Sequence, residues 1–196
     1  MNHRKTQRLA GLALLTAIIV VLQIIATFVR FGPFSVTLTL IPMVVGAAIY
    51  GPKAGAYLGG VFGVVVLAAC IFGWDVGGNI LWNAQPLLTA ALCLVKGAAA
   101  GLAAGGAYVL LRKRKVVATA TAAVLAPIVN TGIFLLALYF CYYDVLASWA
   151  SGAGATITTY ILTGLVGVNF LLELGVNVVV SPVIVQIIKA SGKLSN

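Results

Sequence analysis

Apolar residues run along this chain in six long stretches, separated by Gly or Pro turns, clusters of cations or short polar loops. Runs of that length with few charges predict membrane-crossing helices. The breaks place them at about 9–29, 36–50, 54–72, 87–111, 116–143 and 156–189. The expected architecture is an all-α membrane protein, a six-helix transmembrane bundle forming one domain over residues 1–196. A basic N-terminus before an apolar run resembles a signal peptide. The first run is long enough to span, however, and no A-x-A cleavage site follows it, so a retained helix is expected.

Polar positions inside the runs are few and regularly placed. In LVGVNFLLELGVNVVVSP, residues 165–182, the polar side chains Asn169, Glu173 and Asn177 lie four apart. Helical periodicity puts all three on one face. Lys96 and Glu173 are the ionisable residues within the runs. Lys96 lies 15 residues from Leu111, Glu173 15 from Ile188 and Asn130 14 from Val116. At about 1.5 Å per residue, all three sit roughly 20 Å above the same boundary, with Asn169 one turn further out. A lone charge at that depth costs about 2.5–3.5 kcal/mol on insertion scales, so these groups face protein or water rather than lipid. Two readings stand. Lys96 and Glu173 form a structural ion pair, with the asparagines joining helices. Alternatively, Lys96, Asn130, Asn169 and Glu173 floor a binding site, with Lys96 meeting a substrate carboxylate. Asn177, another turn inward, reads as structural.

Composition fixes the class. Of 196 residues, 62% are hydrophobic and 8% charged, with a mean hydropathy of +1.15. A soluble domain carries about a quarter charged residues. The net charge of +9 comes from cations gathered at span ends. Arg4, Lys5, Arg8, Lys53, Arg112, Lys113, Arg114, Lys115, Lys189 and Lys193 fall on one side, and Arg30 alone on the other. The positive-inside rule then puts both termini in the cytoplasm, with Asp75 and Asp144 outside. Without basic–aromatic interleaving, no nucleic-acid partner is expected. Cys70, Cys93 and Cys141 are scattered in apolar runs, which implies packed thiols. The single histidine, His3, lies in the tail, and there is no G-x-x-x-x-G-K-[ST] motif. No catalytic set, metal or cofactor is expected, and no inverted repeat marks a stand-alone pump.

The loop FGWDVGGNILWNAQP, residues 72–86, has the aromatic and amide groups of a ligand lid. Its alternative is an interfacial belt in which Trp74 and Trp82 sit at headgroup depth. Ala13 and Ala17 form a small-x-x-x-small pair on the first run, beside Ala10, which allows close helix approach. Gly97, Gly101 and Gly105 make a second such stripe, read as packing within the bundle.

The run FSVTLTLIPMVVGAAIYGPKAGAYLGGVFG, with LVKGAAAGLAAGGAYVLL and APIVNTGIFLL, gives this chain a family likeness. Over essentially its whole length it resembles the substrate-binding S component of an energy-coupling factor (ECF) vitamin transporter. The resemblance implies a non-enzymatic, multi-pass subunit in a bacterial cell (plasma) membrane. Such a subunit binds a vitamin or related micronutrient from outside. It works with a transmembrane coupling protein and two cytoplasmic ATPases. It implies docking to the coupling protein through Ala13 and Ala17, and substrate contacts at Lys96, Asn130, Asn169 and Glu173. Trp82 and Asn83 would lie in a gating loop. A thiamin-type aromatic site and the acid associated with riboflavin binders are absent, and Lys96 points to an anionic substrate such as pantothenate or folate. Two other classes remain open from sequence: a self-contained carrier or channel, and a non-transporting assembly protein.

Overall fold

The computed structural model describes residues 3–28, 30–31, 34–35 and 39–190. Helix α1 (His3–Phe28) leads to a two-residue antiparallel ladder, β1 (Arg30–Phe31) with β2 (Phe34–Ser35). Then come α2 (Leu40–Tyr50), α3 (Pro52–Ile71), α4 (Val76–Ala84), α5 (Pro86–Leu110), α6 (Lys115–Cys141) and α7 (Tyr143–Gly152). Helix α8 (Ile157–Tyr160) passes directly into a π segment (Ile161–Phe170) and then α9 (Leu171–Ala190). Among the described residues, four helices are long and apolar enough to cross a membrane: Lys5–Phe28, Pro52–Ile71, Pro86–Leu110 and Lys115–Cys141.

The remaining two expected spans differ from simple rods. The described part of the second is the 11-residue α2, only about 16 Å long at 1.5 Å per residue. The start of that expected span, residues 36–38, lies outside the described residues. The sixth is helical from 157 to 190, but over the π segment its hydrogen-bond ladder shifts to i→i+5. The expected fifth span ends earlier than residue 143, because the helix breaks at Tyr142 and α7 begins. The connections expected as loops at 72–86 and 144–155 are largely helical, as α4 and α7.

Successive long elements run antiparallel. Leu15 of α1 meets Gly46 of α2, while Gln23 near the end of α1 meets Thr39 just before α2. Helices α3 and α5 make the most extensive pair. Along it Gly55 faces Gly101 and Gly59 faces Gly97, with each glycine's missing side chain occupied by the other's carbonyl oxygen. The stripe of Gly97, Gly101 and Gly105 is therefore packing inside the bundle, with α3 and its Pro52 as the opposite wall. The described cations Lys5, Arg8, Lys53 and Arg112 to Arg114 are exposed at one end of this alternating bundle. Asp75 and Asp144 belong to the other end. Lys193 lies outside the described residues, as do the side chains of Arg4, Arg30 and Lys189.

Two apolar clusters stabilise the molecule. One gathers Ile19, Met43, Val44, Leu58, Phe62, Ala104, Ala122 and Ile184 around α2. The other, beneath α4 and α7, holds Leu81, Leu92, Leu138, Tyr142, Leu146 and Leu165. Between them lies an unfilled space.

Candidate functional site

That space is a cavity of about 90 Å³. One buried water needs roughly 10–15 Å³ by the same measure, so a small organic solute can be accommodated. Each helix lends a stripe at helical spacing. From α5 come Thr89, Leu92, Cys93 and Lys96; from α6 come Asn130, Thr131, Phe134 and Leu135. Helix α3 supplies Phe62, Val66 and Cys70, each one turn from the next. Leu165 and Phe170 come from the π segment and Glu173 from the first turn of α9.

The structure brings Lys96, Asn130 and Glu173 to this one cavity. Helix polarity puts them at the side of the cavity nearer the cation-rich end of the bundle: Thr89 on α5, Leu135 on α6 and Leu165 before α9 lie farther from that end. The ammonium of Lys96 rests between two aromatic faces, 5.6 Å from the Phe62 centroid and 5.3 Å from that of Phe134. Such cation–π contacts stabilise a desolvated ammonium by about 0.5–2 kcal/mol each. Both rings belong to the cavity lining. Glu173 is buried. Asn130 is 5% exposed, and its Oδ1 has no hydrogen-bond partner among the described residues. An acceptor left in that state costs about 1–3 kcal/mol, which a solute donor would recover. Pro127, one turn away inside α6, cannot donate a backbone hydrogen bond and so loosens the helix beside Asn130.

Other residues are placed differently. The side chain of Asn169 lies outside the described residues, and its backbone is in the π segment. Asn177 is buried away from the cavity lining, and its Nδ2 donates to the Glu173 carbonyl at 2.8 Å. Trp82 is half-buried and Asn83 exposed, and neither lines the cavity. Asn83 Nδ2 instead donates to the Asn79 carbonyl at 2.9 Å, within its own helix. The expected lid contributes through other residues, Asp75, Gly78 and Leu81. Asp75 Oδ1 accepts the Gly78 N–H at 2.7 Å and so caps α4. Asn79 Nδ2 ties α4 to the Cys70 carbonyl at 2.8 Å. Trp74 packs on Phe28 and Phe72 with much of each ring exposed. Ala13 and Ala17 lie exposed on α1.

Gln23 and Asp75 line the cavity without having been expected there as site residues. Gln23 interrupts an apolar run and is 2% exposed, its Oε1 accepting from Thr39 Oγ1 at 3.1 Å. A lone amide in such a run was the available signal. For Asp75 the signal was an acid three residues before Gly78 at a helix start. Thr89 is held at the rim by Tyr142, 2.7 Å away, and by the Gln85 carbonyl at 2.9 Å. Cys70 and Cys93 are buried free thiols on the same wall.

No curated protein matches the chain. The profile of the family described as "ECF transporter, substrate-specific component" matches residues 7–185. The chain belongs to that family, and it is a multi-pass membrane protein and the substrate-specific subunit of an ECF transporter.

Proposed function

We propose, with that membership as premise, that the cavity floored by Lys96, Asn130 and Glu173 is the substrate site. The observation that carries this reading is Asn130, a buried residue of the cavity lining whose Oδ1 lacks a donor among the described residues. A merely structural polar layer would be expected to satisfy its own acceptors. The substrate is a vitamin or related micronutrient. Lys96, the lysine of the lining, favours one with a carboxylate, such as pantothenate or folate. Asn169 is kept as a further substrate contact on the strength of the family resemblance.

The protein is a single six-span domain over residues 1–196, with α2 and the 157–190 run as its second and sixth spans. Its cation-rich end faces the cytoplasm of a bacterial cell, so the cavity lies toward the outside. It acts as a binding subunit rather than an enzyme, and ATP hydrolysis belongs to two partner ATPases joined by a coupling protein. The exposed Ala13 and Ala17 offer α1 for close docking of that coupling protein.

Native mass spectrometry of the purified protein should find a retained small molecule. Uptake into liposomes should require the coupling protein and ATPases. Flux through this chain alone would make it a carrier or channel. Neither binding nor flux would leave an assembly role. Ala13→Trp should leave binding intact and abolish uptake by the full complex, since an indole blocks helix approach; normal uptake would remove α1 as the docking surface.

A further inference from the structure

We infer that the turn joining α5 to α6 is a docking surface for anionic phospholipid, whose phosphates neutralise a patch of cations that the chain leaves uncompensated. This surface lies at the cation-rich end of the bundle and is separate from the cavity lining. Helix α5 ends at Leu110 and α6 begins at Lys115, so Arg112, Lys113, Arg114 and Lys115 occupy the turn and the first position of α6. The first three are exposed. Lys53 is another exposed cation at the same end, in the first turn of α3. Pro52 beside it packs against Gly105 of α5, which stands about 10 Å before Arg112 along the helix axis.

The chain has three acidic side chains, and all are elsewhere. Asp75 caps α4, Asp144 lies in the first turn of α7 and Glu173 lines the cavity. Counter-charge for the patch therefore comes from outside this protein's side chains. Cations set this close repel one another until anions screen them. The neighbouring apolar residues select the anion. Leu110 is 84% exposed and Val116 65%, and Val117 beyond it is also uncovered. Between Leu110 and Val116 the chain leaves an apolar surface, crosses the cation cluster and returns to an apolar surface. A water-soluble acidic partner would meet the cations and leave those aliphatic side chains uncovered. A phospholipid brings both complements in one molecule: phosphate oxygens for the arginine and lysine donors, and acyl chains for Leu110 and Val116.

Native mass spectrometry of the full-length protein, equilibrated with equimolar phosphatidylglycerol and phosphatidylcholine of identical acyl chains, tests this. Retained lipid should be enriched in phosphatidylglycerol by at least about tenfold, and added salt should erode that enrichment. Combining Arg112→Gln, Lys113→Gln and Arg114→Gln should lower it at least about fivefold. Lys5→Gln with Arg8→Gln, at the same end but on α1, should change it by less than about twofold. The wild-type preference and its salt dependence stand even if the turn variant does not fold. Equal retention of the two lipids overturns the inference, as does an enrichment that survives in the turn variant. Equal loss in both variants would make the preference a property of the whole charged end, and the turn would fall as a site. If the wild type ignores lipid charge while the turn variant fails to assemble with the coupling protein and ATPases, the patch meets an acidic protein and the lipid reading falls.

Discussion

Helix α5 presents two unlike faces to the bundle. Toward α3, Gly97 and Gly101 let backbone lie on backbone, and a Cβ at either position would strike a carbonyl of the opposite helix. Toward α6 and α9, beginning at Lys96, it carries Cys93, Leu92 and Thr89 along the cavity. In lipid there is no hydrophobic drive to press helices together, so a tight contact needs small residues and dispersion between close surfaces. A cavity needs the reverse: bulky side chains such as Phe62 and Phe134 to hold helices apart, and polar groups that make the space worth hydrating. One helix meets both needs because its seam and its cavity stripe occupy different sides of the same cylinder.

The contrast can be broken hardest at the seam. Gly59→Leu requires space held by the Gly97 carbonyl, and overpacking of this kind typically costs about 1–3 kcal/mol or more. Thermal unfolding and size exclusion should show a strongly destabilised or aggregated protein; a normal melting temperature would mean that the seam opens at little cost. The cavity face should respond through binding instead. Lys96→Met is expected to weaken a carboxylate-bearing substrate by at least about tenfold, or 1.4 kcal/mol, with stability little changed. Unchanged affinity with a lowered melting temperature would make Lys96 a packing residue like the glycines. The smallest effect is expected at Asn83, on α4 but off the cavity lining. Asn83→Ala loses exposed hydrogen bonds within one helix, so affinity should shift by less than about twofold and stability by under about 0.5 kcal/mol. A tenfold loss there would extend the site to Asn83.

Much of this arrangement is legible in the residues. Apolar run length marks the long helices because the bilayer sets one thickness for all of them. Counting from the cation-rich ends placed Lys96, Asn130 and Glu173 at one depth, since rise per residue is constant in α-helix. The same arithmetic falters at Asn169, where the π segment alters the spacing between it and Glu173. The loop at 72–86 misled for a different reason. Its amides are spent on carbonyls of α3, α4 and α6 and its tryptophans lie off the cavity lining, while a capping acid and a glycine reach the cavity. Whether a polar side chain in a short segment serves its own helix or a solute depends on which way that segment turns.

By itself, then, the order of residues determined a helical membrane protein, its charged end, its glycine and alanine stripes and the depth of its polar groups. These follow from local rules of length, periodicity and charge. Which glycines interlock, which ring covers Lys96, and which of several polar residues share a cavity were decided only by the tertiary structure. Azimuth and tilt between helices come from side-chain packing across the bundle, and no count along a single helix contains them.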